Sequence, residues 1–335
     1  MEAQEDIQVD LSTESLLEMY WLMLLSRRLD ERTWILHRQG KIAFHISAIG
    51  HEAAQVAAAM ALRKGKDWFS PYYRDLAMMI ALGFTPKEFM LGVMGKKGEP
   101  NSGGRQMPSH WSLKRMNVLS HSSVVGTQAV HAAGIGFAIK MRGDDAVVLT
   151  SIGEGSTSQG EWYEGVNWAA IHKLPVIFMV ENNLYAISVR QEKQMAVDKV
   201  ADKAPGLGLP GVTVDGLDAM TVHQAIKEAA QRARSGAGPT IVETMVNRMT
   251  PHSSDDDDRS YRPKEELEAL KAQDPIDLQR DKLLAAGILT EEAEAEMQER
   301  AKQEVEEAVE FAAEAPYPEI SEASYPVYAE DRIDD

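Results

Sequence analysis

Apolar residues recur at helical spacing through the first third of the chain. Residues 12–39 open with Ser12, carry Glu14 in the first turn and repeat apolar side chains every three or four positions, which predicts a long amphipathic helix. The same spacing predicts four further helices, at 50–62, 76–82, 86–94 and 128–141. Residues 95–118 break the pattern with four glycines and two prolines, which predicts a long loop between the last two helices.

The centre of the chain has a different pattern. Residues 146–152 and 176–180 are continuous apolar runs bounded by polar residues, glycine or proline, which is typical of buried parallel strands. Residues 162–172 between them are long enough for a crossover helix. Further strands are predicted at 212–214 and 240–246, with a helix at 221–235. This alternation predicts an α/β fold, an open parallel sheet with helices on both faces.

Beyond residue 258 the pattern is charged and helical again. Residues 290–313 space their apolar side chains sparsely among glutamates, and we interpret this segment as a solvated outer helix. The patterns together predict an N-terminal helical extension at 1–60, an α/β domain at 61–260 and a C-terminal helical extension at 261–335, packed on the same domain.

Composition narrows the class of protein. The chain has 35 Lys and Arg against 52 Asp and Glu, a net charge of −17, which argues against binding to nucleic acid or to anionic membranes. No apolar run approaches the roughly 18 residues of a membrane span. Cysteine is absent, so thiolate catalysis and disulfides are excluded. Because the first ten residues are acidic, unlike a basic presequence, we expect a cytoplasmic protein.

Candidate chemistry lies where two predicted strands end. Gly153-Glu154-Gly155-Ser156 follows one strand and Glu181-Asn182-Asn183 follows the next. Carboxyl ends of parallel strands share one edge of a sheet, so Glu154 and Asn183 can converge there as oxygen donors suited to Mg²⁺ or Ca²⁺. The glycines permit close approach of a phosphate to the start of the following helix. The segment predicts a metal and diphosphate site.

Two other nucleotide motifs fit this segment poorly. Residues 155–160 have the spacing of a triphosphate-binding loop, but Glu161 stands where its lysine belongs. The three glycines also miss the spacing of a dinucleotide-binding fingerprint.

The segment from Gly153 to Asn183 resembles the thiamine-diphosphate motif, which begins G-D-G or G-E-G and ends N-N about thirty residues later. Several further stretches resemble the alpha subunit of 2-oxo acid dehydrogenases: NNLYAIS at 182–188, Met107-Pro108, SSVVGTQ at 122–128, and His252-Ser253 followed by acids and Tyr261-Arg262. The resemblance spans residues 16–328. Glu154 in place of Asp, and the loop after His252, are closer to the branched-chain (2-oxoisovalerate) members than to the pyruvate members.

The resemblance implies a set of site residues. Glu154, Asn183 and the carbonyl of Tyr185 match Mg²⁺ ligands, while Ser122, Thr127 and Gln128 match a monovalent-cation (K⁺) loop, although they could equally cap the next helix. The residues that match cofactor contacts are Tyr73, Arg74, Ser123, Val125, Gly153, Gly155, Ser156 and His252. Glu181 departs from the pattern, because some relatives have a diphosphate-contacting Arg there, so that contact is lost or supplied elsewhere.

His252 is the candidate catalytic residue. By resemblance it contacts the cofactor and handles protons or the acyl group, and the acids after it, 255–258, are expected to raise its pKa if they lie close. His51, His110 and His131 are interpreted as structural.

The resemblance also implies partners. We expect a beta subunit in an α2β2 heterotetramer, a lipoyl domain of a dihydrolipoyl acyltransferase core, and a 2-oxo acid substrate that is oxidatively decarboxylated. The implied activity is that of 3-methyl-2-oxobutanoate dehydrogenase (2-methylpropanoyl-transferring). Pyruvate or acetoin dehydrogenase is the alternative within the enzymes, and a non-catalytic nucleotide- or metal-binding regulatory subunit is the alternative outside them.

Overall fold

A computed structural model describes residues 11–324. Seven strands are named in chain order: β1 (Trp68–Ser70), β2 (Val148–Gly153), β3 (Val176–Asn182), β4 (Tyr185–Ala186), β5 (Val189–Arg190), β6 (Gly211–Asp215) and β7 (Thr240–Met245). Five of them form a parallel sheet in the order β1-β2-β3-β7-β6, and β4 and β5 form a small antiparallel hairpin. The predicted parallel sheet is confirmed.

The helices of the described residues follow the predicted pattern closely. They are α1 (Thr13–Arg38), α2 (Glu52–Met60), α3 (Leu76–Ala81), α4 (Pro86–Val93), α5 (Thr127–Arg142), α6 (Gly160–Ile171), α7 (Gln191–Gln194), α8 (Ala219–Arg234), α9 (Lys264–Lys271), α10 (Pro275–Ala285) and α11 (Glu291–Glu314). Ser12 caps α1 by accepting a hydrogen bond from the Ser15 backbone N–H at 3.2 Å. Within residues 11–324, no helix combines the length and the apolarity that crossing a membrane requires.

The central strands are buried on both faces, because their side chains alternate between two hydrophobic cores. On β3, Ile177 and Met179 pack into the core that contains α1, α2, α3 and α8. Val176, Phe178 and Val180 pack into the second core, with α5 and α6. Helices therefore cover both faces of the sheet, as predicted.

The C-terminal helix α11 differs from its interpretation as a solvated outer helix. It is an outer helix, but a stripe of five small apolar residues is buried, namely Ala301, Val305, Ala308, Val309 and Ala312. This stripe packs on α1 and α4. The few apolar residues among its glutamates therefore complete the larger core. The proposed domain boundaries at 60 and 260 stay a prediction.

Candidate active site

A cavity of about 270 Å³ opens at the carboxyl edge of the sheet, beside the ends of β2 and β3. Most of the residues that the sequence predicted line it together: Tyr73, Arg74, Val125, Gly153, Glu154, Gly155, Ser156, Asn183, Tyr185 and His252. Three other wall residues, Tyr72, Ala186 and Ile187, were not predicted. Tyr72 directly precedes Tyr73, and Ala186 and Ile187 follow Tyr185 within the stretch at 182–188, so their proximity in sequence is the signal by which they could have been found.

Oxygen donors meet on one wall of the cavity. Strand pairing sets Gly153 opposite Glu181, so the residues that follow them lie side by side. The Asn183 backbone N–H donates to Glu154 Oε2 at 3.3 Å, while Glu154 Oε1 is buried without a hydrogen-bond partner. Burial raises the pKa of Glu154, and the Arg248 and Arg74 guanidinium groups oppose that rise. A hard cation would satisfy the free oxygen.

The Asn183 side chain is held by two contacts. Its Oδ1 accepts from the Tyr185 backbone N–H at 3.3 Å, and its Nδ2 donates to His51 Nε2, also at 3.3 Å. Burial lowers the pKa of His51 well below its ordinary value, so the imidazole is neutral and can accept this bond. The sequence interpretation of His51 as merely structural therefore missed its contact with the predicted metal ligand. A lone histidine at a helix start carries no signal that could have revealed it.

Glycine at 155 is required by the close approach of the β4–β5 hairpin. A Cβ atom added at Gly155 would lie 2.6 Å from Ala186 Cβ, far inside van der Waals contact. Residues Glu154–Ser158 form a 3₁₀ turn, and α6 begins at Gly160 directly after it. A helix start of this kind presents free backbone N–H groups, which suit an anion.

The hairpin itself contains backbone conformations that few side chains adopt. Leu184 and Ile187 are both left-handed, with φ of 66° and 56°. Such residues cost on the order of 1–2 kcal/mol each and are concentrated at functional sites. Here the two turns bracket Tyr185 and Ala186, whose backbone passes beside the cavity.

Arg74 connects the cavity to the loop that carries His252. Arg74 is 2% exposed, and its Nη2 lies 3.3 Å from both the carbonyl oxygen and Nδ1 of His252. The Arg74 guanidinium also lies against the Tyr73 ring, 5.5 Å from its centroid. The sheet edge thus holds a buried cation beside the oxygen donors, as a diphosphate site requires.

The expectation of a raised pKa at His252 is wrong. Burial, with Arg74 and Arg248 nearby, lowers the pKa of His252 to about 3. Asp256 opposes this effect, but more weakly than burial and the two arginines, and the other acids of the loop do not contribute. Asp256 accepts from the His252 backbone N–H at 2.8 Å, and Asp257 and Asp258 pair with Arg259 and Arg262. The imidazole is therefore neutral.

Ser123 lies outside the walls of the cavity, although Val125 two residues later lines it. The Ser123 side chain is exposed, and its hydroxyl contacts His110 Nε2. His110 Nδ1 faces the Met107 carbonyl at 3.0 Å, so it carries the proton and Nε2 is the acceptor.

The predicted cation loop is compact. Gln128 Nε2 donates to the Ser122 carbonyl at 3.2 Å, and Gln128 Oε1 is buried without a partner. The alternative role as a helix cap is not realised, because the N-cap of α5 is Gly126, which makes no side-chain capping hydrogen bond. Thr127 is the first residue of that helix. Among residues 11–324, no group of three or more His, Asp or Glu side chains is arranged to hold a metal ion.

Glu181 is completely buried and faces α2 instead of the cavity. Its Oε2 accepts from Gln55 Nε2 at 2.9 Å and from the Tyr72 hydroxyl at 3.3 Å. Burial, together with the neighbouring Asp75, raises the pKa of Glu181 well above its ordinary value. Position 181 therefore supplies no positive charge to a diphosphate.

The fold and cavity define the class: an open parallel α/β protein whose ligand site lies at the carboxyl edge of the sheet. The chain belongs to the dehydrogenase E1 component family, whose model matches residues 20–321. Membership of this family implies thiamine diphosphate as the cofactor.

Individual relatives support this membership. The 2-oxoisovalerate dehydrogenase subunit alpha of Bacillus subtilis is 50% identical over 287 residues, which cover 86% of this chain and 87% of the relative. The pyruvate dehydrogenase E1 component subunit alpha of Staphylococcus aureus strain Mu50 is 41% identical over 297 residues, covering 88% of this chain and 77% of the relative. The protein of the same description from Staphylococcus epidermidis is 39% identical over the same shares.

Proposed function

We propose that the chain is the alpha subunit of a branched-chain 2-oxo acid dehydrogenase. In this role it oxidatively decarboxylates 3-methyl-2-oxobutanoate with thiamine diphosphate and Mg²⁺, and passes the acyl group to a lipoyl arm. The observation that carries the proposal is the convergence of Glu154, Asn183 and Tyr185 with Arg74 and His252 on one cavity. The greater identity to the 2-oxoisovalerate relative than to the pyruvate relatives supports the branched-chain substrate.

The residues present fit the cofactor. The free Oε1 of Glu154, the amide oxygen of Asn183 and the carbonyl of Tyr185 would hold Mg²⁺, since all three are hard oxygen donors. Gly153, Gly155, Ser156, Tyr73 and Arg74 would surround the diphosphate. When bound, thiamine diphosphate supplies a carbon nucleophile and an electron sink for decarboxylation.

The remaining roles belong to flanking residues. Ser123 and Val125 would lie beside the aminopyrimidine, and Ser122, Thr127 and Gln128 would hold K⁺. His252 is neutral at pH 7, and because its Nδ1 accepts from Arg74, Nε2 carries the proton and can donate it at the reacting end of the cavity. Arg74 orients it through the contacts with its carbonyl and Nδ1.

The proposal includes a beta subunit, in an α2β2 heterotetramer that docks on a dihydrolipoyl acyltransferase core in the cytoplasm. Helices α5 and α6 support a subunit partner, because they expose large apolar side chains together. Phe137, Met141, Trp168 and Ile171 are between 37% and 73% exposed. Contiguous apolar surface of this kind marks an interaction face.

The test is CO₂ release from a panel of 2-oxo acids by this chain assembled with its beta subunit, thiamine diphosphate and Mg²⁺. We expect the highest kcat/KM with 3-methyl-2-oxobutanoate, followed by other branched-chain acids. A preference for pyruvate would transfer the chain to the pyruvate enzymes. No release from any 2-oxo acid would favour the non-catalytic regulatory subunit.

A further inference from the structure

Arg248 is a buried cation whose guanidinium makes one hydrogen bond among the described residues and leaves two nitrogen atoms without a partner. Its side chain is 1% exposed, and Nη2 donates to the Tyr261 hydroxyl at 3.0 Å. Nε and Nη1 are also buried, and neither has a hydrogen-bond partner. Burying charged donors without acceptors costs several kcal/mol, so an arrangement of this kind is typical of a site that an anion completes.

Arg248 lies next to the cofactor cavity. It lines a second cavity of about 490 Å³, which shares Asn183 and Tyr185 with the first. The chain around it follows the sheet edge, since the Val246 N–H donates to the Asn182 carbonyl and the Met249 N–H to the Ile49 carbonyl. The Arg248 guanidinium lies 5.5 Å from the centroid of the Tyr185 ring, and its charge acts on both Glu154 and His252.

The acids nearby are already occupied. Asp256 accepts from the His252 backbone and from the Tyr261 hydroxyl. Glu266 is paired with Arg190 at 2.6 Å and with Arg262 at 3.3 Å. The charges of Arg74 and Arg262, added to burial, lower the pKa of Arg248, so the surroundings are electropositive. An anion from outside the chain is the natural complement.

Position 181 does not supply a positive charge to the diphosphate site. The resemblance placed a diphosphate-contacting Arg at this position in some relatives, and here the side chain is an acid that faces α2. We propose that Arg248 supplies the missing contact: its unpartnered Nε and Nη1 groups would donate to anionic oxygens of the diphosphate, as a second cation in addition to Arg74. This inference rests on the proposed function.

The test compares variants of the full chain assembled with its beta subunit. Affinity for thiamine diphosphate and for inorganic pyrophosphate, each with Mg²⁺, is measured by calorimetry in the absence of 2-oxo acid. Arg248→Met should weaken both by about tenfold or more, because it removes charge-assisted hydrogen bonds. The affinities of Arg248→Lys should fall between those of Arg248→Met and the parent, since lysine keeps the positive charge but lacks the planar guanidinium that can donate two parallel hydrogen bonds.

Two control variants separate anion binding from loop order. Arg190→Met removes another arginine that lines the larger cavity and lies against the Tyr185 ring, but this arginine is already paired with Glu266. Tyr261→Phe removes the hydrogen bonds of the hydroxyl to Arg248 and to Asp256 of the loop but keeps the arginine. Both controls should bind pyrophosphate within about threefold of the parent, equivalent to less than 1 kcal/mol.

The outcomes are distinct. Equal affinity of Arg248→Met and the parent, with or without a raised KM for the 2-oxo acid, would overturn the inference and leave the proposed function standing. A loss of pyrophosphate affinity in Tyr261→Phe as large as that in Arg248→Met would also overturn the inference, because disorder of the loop would then explain both losses. A parent that binds neither thiamine diphosphate nor pyrophosphate would overturn the proposed function itself.

Discussion

At the scale of single residues, the candidate site contains polar groups that the rest of the chain leaves unsatisfied. Glu154 keeps one carboxylate oxygen free although it is almost completely buried, whereas its other oxygen accepts from the backbone of Asn183. Asn183 is oriented by His51 and by the Tyr185 backbone. Unpaired buried oxygens are costly unless a ligand satisfies them. The free-energy cost of the unpaired Glu154 oxygen is therefore consistent with a site arranged for a metal ion.

Asn183→Ala is expected to abolish binding of thiamine diphosphate in Mg²⁺, because it removes one of the proposed oxygen ligands. The fold should persist, since the lost contacts are two hydrogen bonds worth about 1 kcal/mol each. Calorimetry measures the affinity, and thermal unfolding measures the stability. Asn247→Ala is a matched control on the wall of the larger cavity and should keep the parental affinity. Unchanged affinity in Asn183→Ala would remove Asn183 from the metal site.

His252→Ala is expected to slow turnover with the lipoyl acceptor by about 100-fold or more, the usual effect of losing a positioned acid–base group. Stability should hardly change, because the imidazole lies on a polar loop. His37→Ala serves as the control, since its only ion-pair contact among the described residues is with Asp255 at 3.9 Å. A rate within about threefold of the parent would show that His252 has no role in proton or acyl transfer.

The pKa of His252 also predicts a dependence on pH. Its folded value of about 3 lies below the ordinary value of about 6.5, so the unfolded loop binds the proton more readily. The cofactor-free loop is thus fully stabilised above pH 6.5 and loses stability as pH falls from there toward 3. NMR of the imidazole should show no titration between pH 5 and 8. A midpoint near 6.5 would contradict the buried, neutral assignment.

At the scale of elements, the geometry of the site depends on how closely the β4–β5 hairpin approaches the turn after β2. Gly155→Ala would force its Cβ against Ala186 and push the hairpin, with Tyr185, away from Glu154. We expect at least a tenfold loss of thiamine-diphosphate affinity by calorimetry. Gly160→Ala is the matched control, because nothing lies within 4 Å of a Cβ added there. Equal affinity in the two variants would contradict the close-packing argument.

The sequence predicted those helices and strands whose pattern of apolar residues lies within the element itself. Strands β2 and β3 are continuous apolar runs, and α1 has both periodicity and a capping serine. Strand β1 has only three residues, Trp68–Ser70, too few for a pattern, and it exists because β2 pairs with it. Arg248 and His51 were missed for a related reason. Their roles depend on groups far along the chain, which no local pattern records.

At the scale of the whole molecule, two hydrophobic cores on either side of one parallel sheet fix the position of the site. The metal and diphosphate candidates come from the ends of β2 and β3, whereas Arg74 and His252 come from segments far apart in sequence. The family resemblance identified these distant residues because it supplies positions that periodicity cannot. It did not supply the neutral state of His252, which depends on burial and on the pairing of each acid.

The central claim is that this chain binds thiamine diphosphate through a metal ion held by Glu154, Asn183 and Tyr185. The most direct test is calorimetric titration of thiamine diphosphate into the chain assembled with its beta subunit, first in Mg²⁺ and then after chelation. We predict saturable binding, one cofactor for each copy of this chain, that is lost when the metal is removed and returns when Mg²⁺ is restored. Binding of equal affinity with and without the metal, or no binding in Mg²⁺, would contradict the claim.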